Sequence, residues 1–176
     1  MSPDFFSVAQ MFGHATFLLG MVSFSRKSDA HFKQWLTAQN LLYATHFYLM
    51  GNPAAMAGAL LSATRNVLSM KTRALWVAIL LLSLNVALGF VFVHSLWNVL
   101  PLLATAVATL SMFRLNGLRL RCGMLVATLL WLLNNIHTGS IGGTIMESMI
   151  TVVSVVTIFR LWRDARLQPA ADALRP

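Results

Sequence analysis

The stretch "LLWLLNNIHTGS", residues 129–140, repeats in outline a stretch 88 residues earlier, "LLYATHFYLMGN", residues 41–52. Laid over one another without gaps, Leu41, Leu42 and Gly51 meet Leu129, Leu130 and Gly139, and Tyr43 meets Trp131. At the same offset Arg26 meets Arg114 and Lys33 meets Arg121. Each match is weak alone, and apolar helices resemble one another whatever their origin. A single offset that aligns a turn glycine, an aromatic and two basic positions argues instead for two copies of one unit.

Composition says what the unit is made of. Hydrophobic residues make up 57% of the 176 residues and charged residues 10%, and mean hydropathy is +0.70. A soluble domain of this size needs more polar surface than that. A membrane span needs roughly 20 mostly apolar residues. Seven such stretches are expected, at about 5–24, 31–50, 53–70, 74–94, 98–114, 120–138 and 141–162. Two of the turns between them, "GNP" at 51–53 and "TGS" at 138–140, hold a glycine where a helix can end and reverse.

Two three-span units, spans 1 to 3 and 5 to 7, are then joined by span 4. An odd linker makes both units run the same way, related by an axis along the membrane normal. Transporters built on such repeats bind their solute near mid-membrane where the halves meet. The expected fold class is an all-α membrane protein of seven transmembrane helices in a 3+1+3 parallel repeat. Residues 1–72 form the first unit, 73–96 the linker helix and 97–163 the second unit. Residues 164–176 form a short cytoplasmic tail, whose polar composition predicts disorder.

The charges give an orientation. Thirteen Lys and Arg against five Asp and Glu leave a net charge of +8, and the pI is near 11.2. The basic residues fall after spans 1, 3, 5 and 7, and none falls in the N-terminus or after spans 2, 4 and 6. The positive-inside rule puts that side in the cytoplasm, with the N-terminus outside and the C-terminus inside. It also accounts for the pI without a nucleic-acid partner. The opening "MSPDFFSVAQ" carries an aspartate where a secretory signal has basic residues, so the first apolar segment is expected to stay in the mature protein. The single cysteine, Cys122, excludes an intrachain disulfide and reads as a packing residue.

The segments "HFYLMG" (46–51), "KTRALWV" (71–77), "RCGM" (121–124), "NNIHTGSIGGTIMES" (134–148) and "FRLWR" (159–163) resemble the YgjV family of bacterial inner-membrane proteins over nearly the whole chain. "GSIGGT" followed by Glu147 is the most specific of them. The 3+1+3 plan is similar to the PQ-loop and SWEET superfamily of small-solute carriers, which implies transport by alternating access. The Pro-Gln pairs of that superfamily are absent: span 1 has Gln10 without a proline, and span 5 has Pro101 near its start.

Glu147 is the outstanding residue. Helical steps from it along span 7 meet Gly143, Thr144, Thr151 and Ser154, a stripe of small and polar residues, while Ile145, Met149, Val152, Val156 and Phe159 form the other side. The apolar side suits lipid, so Glu147 is expected to face the bundle interior. An ionised carboxylate at mid-membrane costs roughly 3 kcal/mol on insertion scales, so it needs a partner, a proton or a wet cavity. The plainer alternative is a protonated glutamate hydrogen-bonded between helices. Arg65 in span 3 is the obvious counter-charge, yet the repeat sets it about 9 Å nearer the cytoplasm at 1.5 Å per residue. It either binds an anion in the cavity or snorkels to the interface beside Lys71 and Arg73.

Asn40, Tyr43, His46, Trp131, Asn134 and Asn135 come from spans 2 and 6, and Ser62 and Asn66 share the polar stripe of span 3. An aromatic with amides one turn away can stack on a polar solute and hydrogen-bond it; packing is the competing role for Tyr43 and Trp131. The superfamily resemblance implies that Trp131 matches its binding-site aromatic, with Tyr43 as the twin, and that Asn66 is the amide, with Ser154 as its repeat mate. The candidate binding residues are thus Glu147, Trp131, Tyr43, Asn66, Asn134, Asn135, Arg65, His46, Ser62 and Thr151. His14, His31, His46, His94 and His137 show no metal-ligand spacing, and no cofactor is expected. No nucleophile motif or phosphate-binding loop is present, so an enzyme is not expected. The expected partners are the lipid bilayer and a small polar solute. One chain holds both repeats, which permits a monomer and equally allows a homo-oligomer. The rival reading is a non-transporting membrane protein or accessory subunit, whose polar stripes only join helices.

Overall fold

The computed structural model describes residues 7–50, 53–92, 99–137 and 141–172. The turns expected at 51–53 and 138–140 lie largely outside them, as does His94. Among the described residues the chain forms seven α-helices: α1 (Val8–Ser25), α2 (Asp29–Leu49), α3 (Pro53–Lys71), α4 (Leu75–Phe92), α5 (Val99–Arg114), α6 (Gly117–His137) and α7 (Ile141–Asp172).

Local chemistry sets several of their ends. The Ser7 hydroxyl accepts from the Gln10 amide at 3.3 Å and opens α1. Ser28 caps α2, with Asp29 in the first turn where a negative charge complements the helix dipole. Between α5 and α6 the chain reverses in two residues, and Gly117 takes φ +53°, a conformation open to glycine at little cost. Its amide is not left bare: it donates to Asp29 Oδ2 at 2.6 Å.

Helix α2 packs along both α1 and α3, and α6 packs along both α5 and α7. The two groups touch where α1 meets α7 and where α3 meets α5, and α4 leans on α5 with a smaller contact to α3. The buried core lies at the end of the bundle where α1 stops and α2 starts, and where α5 stops and α6 starts. There Phe24 meets Phe32 edge to face at 5.2 Å, and Met112, Phe113 and Leu120 are fully enclosed. We call this the basic end. The outer surface is apolar instead of polar: Trp76, Ile79, Leu80 and Phe90 of α4, and Ile145, Val152, Val156 and Phe159 of α7, are all exposed. A water-soluble monomer does not present apolar area on this scale.

Three helices are long and apolar enough to cross a membrane by themselves, over Val8–Ser25, Gly117–Asn134 and Thr144–Leu167, and α4 and α5 hold shorter apolar stretches. Helices α2 and α3 fall short because they carry Lys33, Gln39, Arg65 and Asn66, all of which are buried. Hydropathy averages around a helix, so a polar inner face conceals an apolar outer one.

The C-terminal segment departs from expectation. The tail predicted to be disordered continues α7 as helix as far as Asp172. Its first turn beyond the apolar run has partners: Asp164 pairs with Lys27, and the Arg166 guanidinium sits over the Trp162 ring at 3.9 Å. The Lys27 contact also holds the Asp164 carboxyl below the ordinary carboxylate range.

Candidate functional site

Above the packed basic end, α2, α3, α5, α6 and α7, with one residue each from α1 and α4, line a cavity of about 530 Å³. Its floor is Phe24, Leu36, Ala108 and Met124, and its wall climbs to Phe47 and Leu102, within a turn of the opposite helix ends. Five of the predicted residues line it together: Glu147, Arg65, Tyr43, Trp131 and Ser62.

Their depths are ordered. Tyr43 lies six residues before Leu49, Trp131 six before His137 and Glu147 six after Ile141, so all three stand about 9 Å in from their helix ends. Arg65 lies twelve residues after Pro53, about 9 Å deeper again. The Glu147 side chain has no hydrogen bond or ion pair among the described residues, and no ion pair joins it to Arg65. Arg65 is 8% exposed, and its Nε and Nη2 both donate to Asn66 Oδ1 at 3.3 Å. An acidic and a basic side chain therefore line one cavity with no ion pair between them.

The other predicted residues are used differently. Asn66 is fully buried behind Arg65, where it orients the guanidinium instead of touching the cavity. The His46 ring bonds the Ala9 carbonyl through Nδ1 at 2.7 Å, and Gly13 gives it room, since a Cβ there would stand 3.2 Å from His46 Cε1. It ties α2 to α1. The same ring stacks on Tyr43 at 5.9 Å and 15°, helping to set the Tyr43 ring. Thr151 returns its hydroxyl to the Glu147 carbonyl at 2.8 Å. Asn134 has interactions of its own and is not among the lining residues. The side chain of Asn135 lies outside the described residues.

Sequence reasoning missed Gln39, Asn85, Thr105 and Thr128, which line the cavity, and Asn40 lines it as a group noted but not selected. A signal was present: Gln39 and Asn40 fall four and three residues before Tyr43, and Thr128 three before Trp131, so each shares a face with a chosen aromatic. Asn85 is the lone amide of α4, which reads as a mere linker. A small void of about 10 Å³ between Arg65, Asn85, Thr105 and Thr109 extends the polar foot of the site.

Below the floor, two more buried cations close the bundle. Lys33 Nζ donates to the Ser69 and Met112 carbonyls at 3.1 and 2.8 Å, catching the last turns of α3 and α5. Arg121, 2% exposed, donates to the Lys27 and Ser28 carbonyls and pairs with Asp29 at 3.3 Å, with its guanidinium 4.0 Å over the Phe32 ring. Each cation reaches from one three-helix group into the other. Among the described residues no three His, Cys, Asp or Glu side chains gather as metal ligands.

Residues 7–165 match the family model for a bacterial inner-membrane protein, Imp-YgjV. The chain is 34% identical over 156 residues to inner membrane protein YgjV of Escherichia coli (strain K12), covering 89% of this chain and 85% of that protein. No solved structure matches. The chain belongs to the YgjV family of bacterial inner-membrane proteins.

Proposed function

We propose that the protein is a seven-span carrier that moves a small polar metabolite across the bacterial inner membrane by alternating access. The observation that carries this reading is the cavity of about 530 Å³, in which Glu147, Arg65, Tyr43 and Trp131 converge from four helices of both groups. Pockets of this size bury a metabolite.

The packing supports the repeat behind it. Exchanging α1–α3 with α5–α7 turns the α1–α7 contact into the α5–α3 contact, and both occur. Asp29 and Gly117, equivalent at the 88-residue offset, touch each other, as a residue and its mate do only beside a two-fold axis. Lys33 and Arg121 are mates as well, and both are buried bridges. With the basic end in the cytoplasm and the N-terminus outside, the cavity faces outward and the Lys33 and Arg121 bridges close the inner side. Alternating access requires those bridges to part.

In this scheme Glu147 holds the cationic part of the solute or a coupling proton, and Tyr43 and Trp131 sandwich it. Arg65 selects a carboxylate or phosphate, held in place by Asn66. Gln39, Asn40 and Asn85 supply the amide hydrogen bonds. Uptake by the purified protein in liposomes, over a panel of sugars, amino acids, organic acids and nucleotides, tests the reading. Ligand-dependent flux that Glu147→Gln removes is expected. A panel with no flux and no ligand-dependent thermal stabilisation sinks it, and a Glu147→Gln protein indistinguishable from wild type would favour the accessory-subunit reading.

A further inference from the structure

We infer that the solute is a zwitterion whose ammonium and carboxylate stand at opposite ends of the molecule, bound with the ammonium toward Glu147 and the carboxylate on Arg65. This rests on the carrier reading and names its substrate class.

Both charges line the same cavity, neither is paired with the other, and Arg65 is more than nine-tenths buried while still forming part of the wall. An uncompensated charge buried among helices is costly. A ligand with one charge satisfies one of the two groups and leaves the other exposed to a low-dielectric wall. A net-neutral ligand with two charges satisfies both. Their backbone levels lie about 9 Å apart and no ion pair joins them, which favours charges at the two ends of the solute over charges on adjacent carbons.

The surroundings are sorted to match. At the depth of Glu147 stand Tyr43 and Trp131, whose ring faces attract an ammonium group. Around Arg65 stand Ser62, Asn85 and Thr105, neutral groups that can hydrogen-bond the remaining lone pairs of a carboxylate. Between the two levels the wall mixes Ala127 and Ile150 with Gln39, Asn40, Ser62 and Thr128, which suits a spacer that carries both methylene and polar groups.

The test uses the full-length protein in detergent, and in liposomes, with straight-chain ω-amino acids from glycine to 8-aminooctanoate. Alkylamines and alkyl carboxylates of the same lengths, and a neutral sugar, complete the series. Thermal stabilisation is expected from the zwitterions with a maximum at intermediate length, on the order of tenfold tighter than either singly charged analogue. Glu147→Gln should remove the advantage over the carboxylate alone, and Arg65→Gln the advantage over the amine alone. A misfolded variant would lose both, so the crossed pattern separates recognition from folding. Equal binding of carboxylates and zwitterions, which a protonated Glu147 would produce, overturns the inference and leaves the carrier standing. So does flux of the sugar without flux of any zwitterion. Absence of binding and flux for every compound overturns both.

Discussion

Arg121 and Arg65 are both buried arginines on helices of one bundle, and they differ in what surrounds them. Arg121 has a carboxylate, two backbone carbonyls and an aromatic face, all from the opposite three-helix group. Among the described residues Arg65 bonds the side-chain amide of its neighbour, and it lines the cavity. Arg121 spends its Nη2 and its charge on the opposite group and so acts as a brace, although its Nε and Nη1 make no hydrogen bond among the described residues. Arg65 lines a cavity instead, where its charge is available to something that arrives.

That contrast can be broken by removing each guanidinium in turn. Arg121→Ala takes the ion pair from the half-buried Asp29 and the donor from the Lys27 and Ser28 carbonyls, and empties a buried site, so a loss of about 3 kcal/mol is expected in denaturant or thermal unfolding in detergent. Lys33→Ala should follow with a smaller loss, since two neutral carbonyls are easier to leave than a carboxylate. Arg65→Gln should melt close to wild type without ligand and lose the stabilisation that ligand confers, about 2.7 kcal/mol at a hundredfold excess over Kd. If Arg65→Gln destabilises the free protein as strongly as Arg121→Ala, the two arginines are both braces and the distinction fails.

Glu147→Gln sharpens the comparison from the other side. Replacing a carboxylate that has no ion pair among the described residues with an isosteric amide should leave the ligand-free melting temperature unchanged or raise it, measured by the same thermal scan. The smallest effect belongs to Lys27 and Asp164. The Asp164 carboxyl titrates below its usual value of 3.8, so the pair stabilises fully above about pH 4 and is lost as pH falls through the depressed value. Both side chains are about a third exposed, so Asp164→Asn should flatten the acid limb of the stability curve only slightly.

Much of the fold was legible because membrane helices announce themselves by length and apolar content. The expected span at 5–24 corresponds to Val8–Ser25 and that at 120–138 to Gly117–His137. The polar stripe of α7 also pointed inward correctly, with Ile145, Val152 and Val156 outside and Glu147 on the cavity wall. What escaped needed knowledge of neighbours. Asn66 and His46 carry the right chemistry on the right helices, yet one is consumed by Arg65 and the other by Ala9. Lys33 and Arg121 read as two basic positions of the repeat and no more, because periodicity along one helix cannot report that helix ends from the other repeat close over them. The extension of α7 was hidden for a similar reason: its polar residues find partners on α1's connection and on their own helix.

A water-filled cavity opposite the basic end is tested most directly by cysteine accessibility in the native membrane. In a Cys122→Ala background, Ser62→Cys on the cavity wall and Ser111→Cys in the closed half are challenged with a membrane-impermeant maleimide on intact spheroplasts and on inverted vesicles. Cysteine 62 should be labelled on spheroplasts and cysteine 111 on neither preparation until the protein is denatured. Failure to label position 62 from either side would mean a dry interior, and with it the loss of the site built around Glu147 and Arg65.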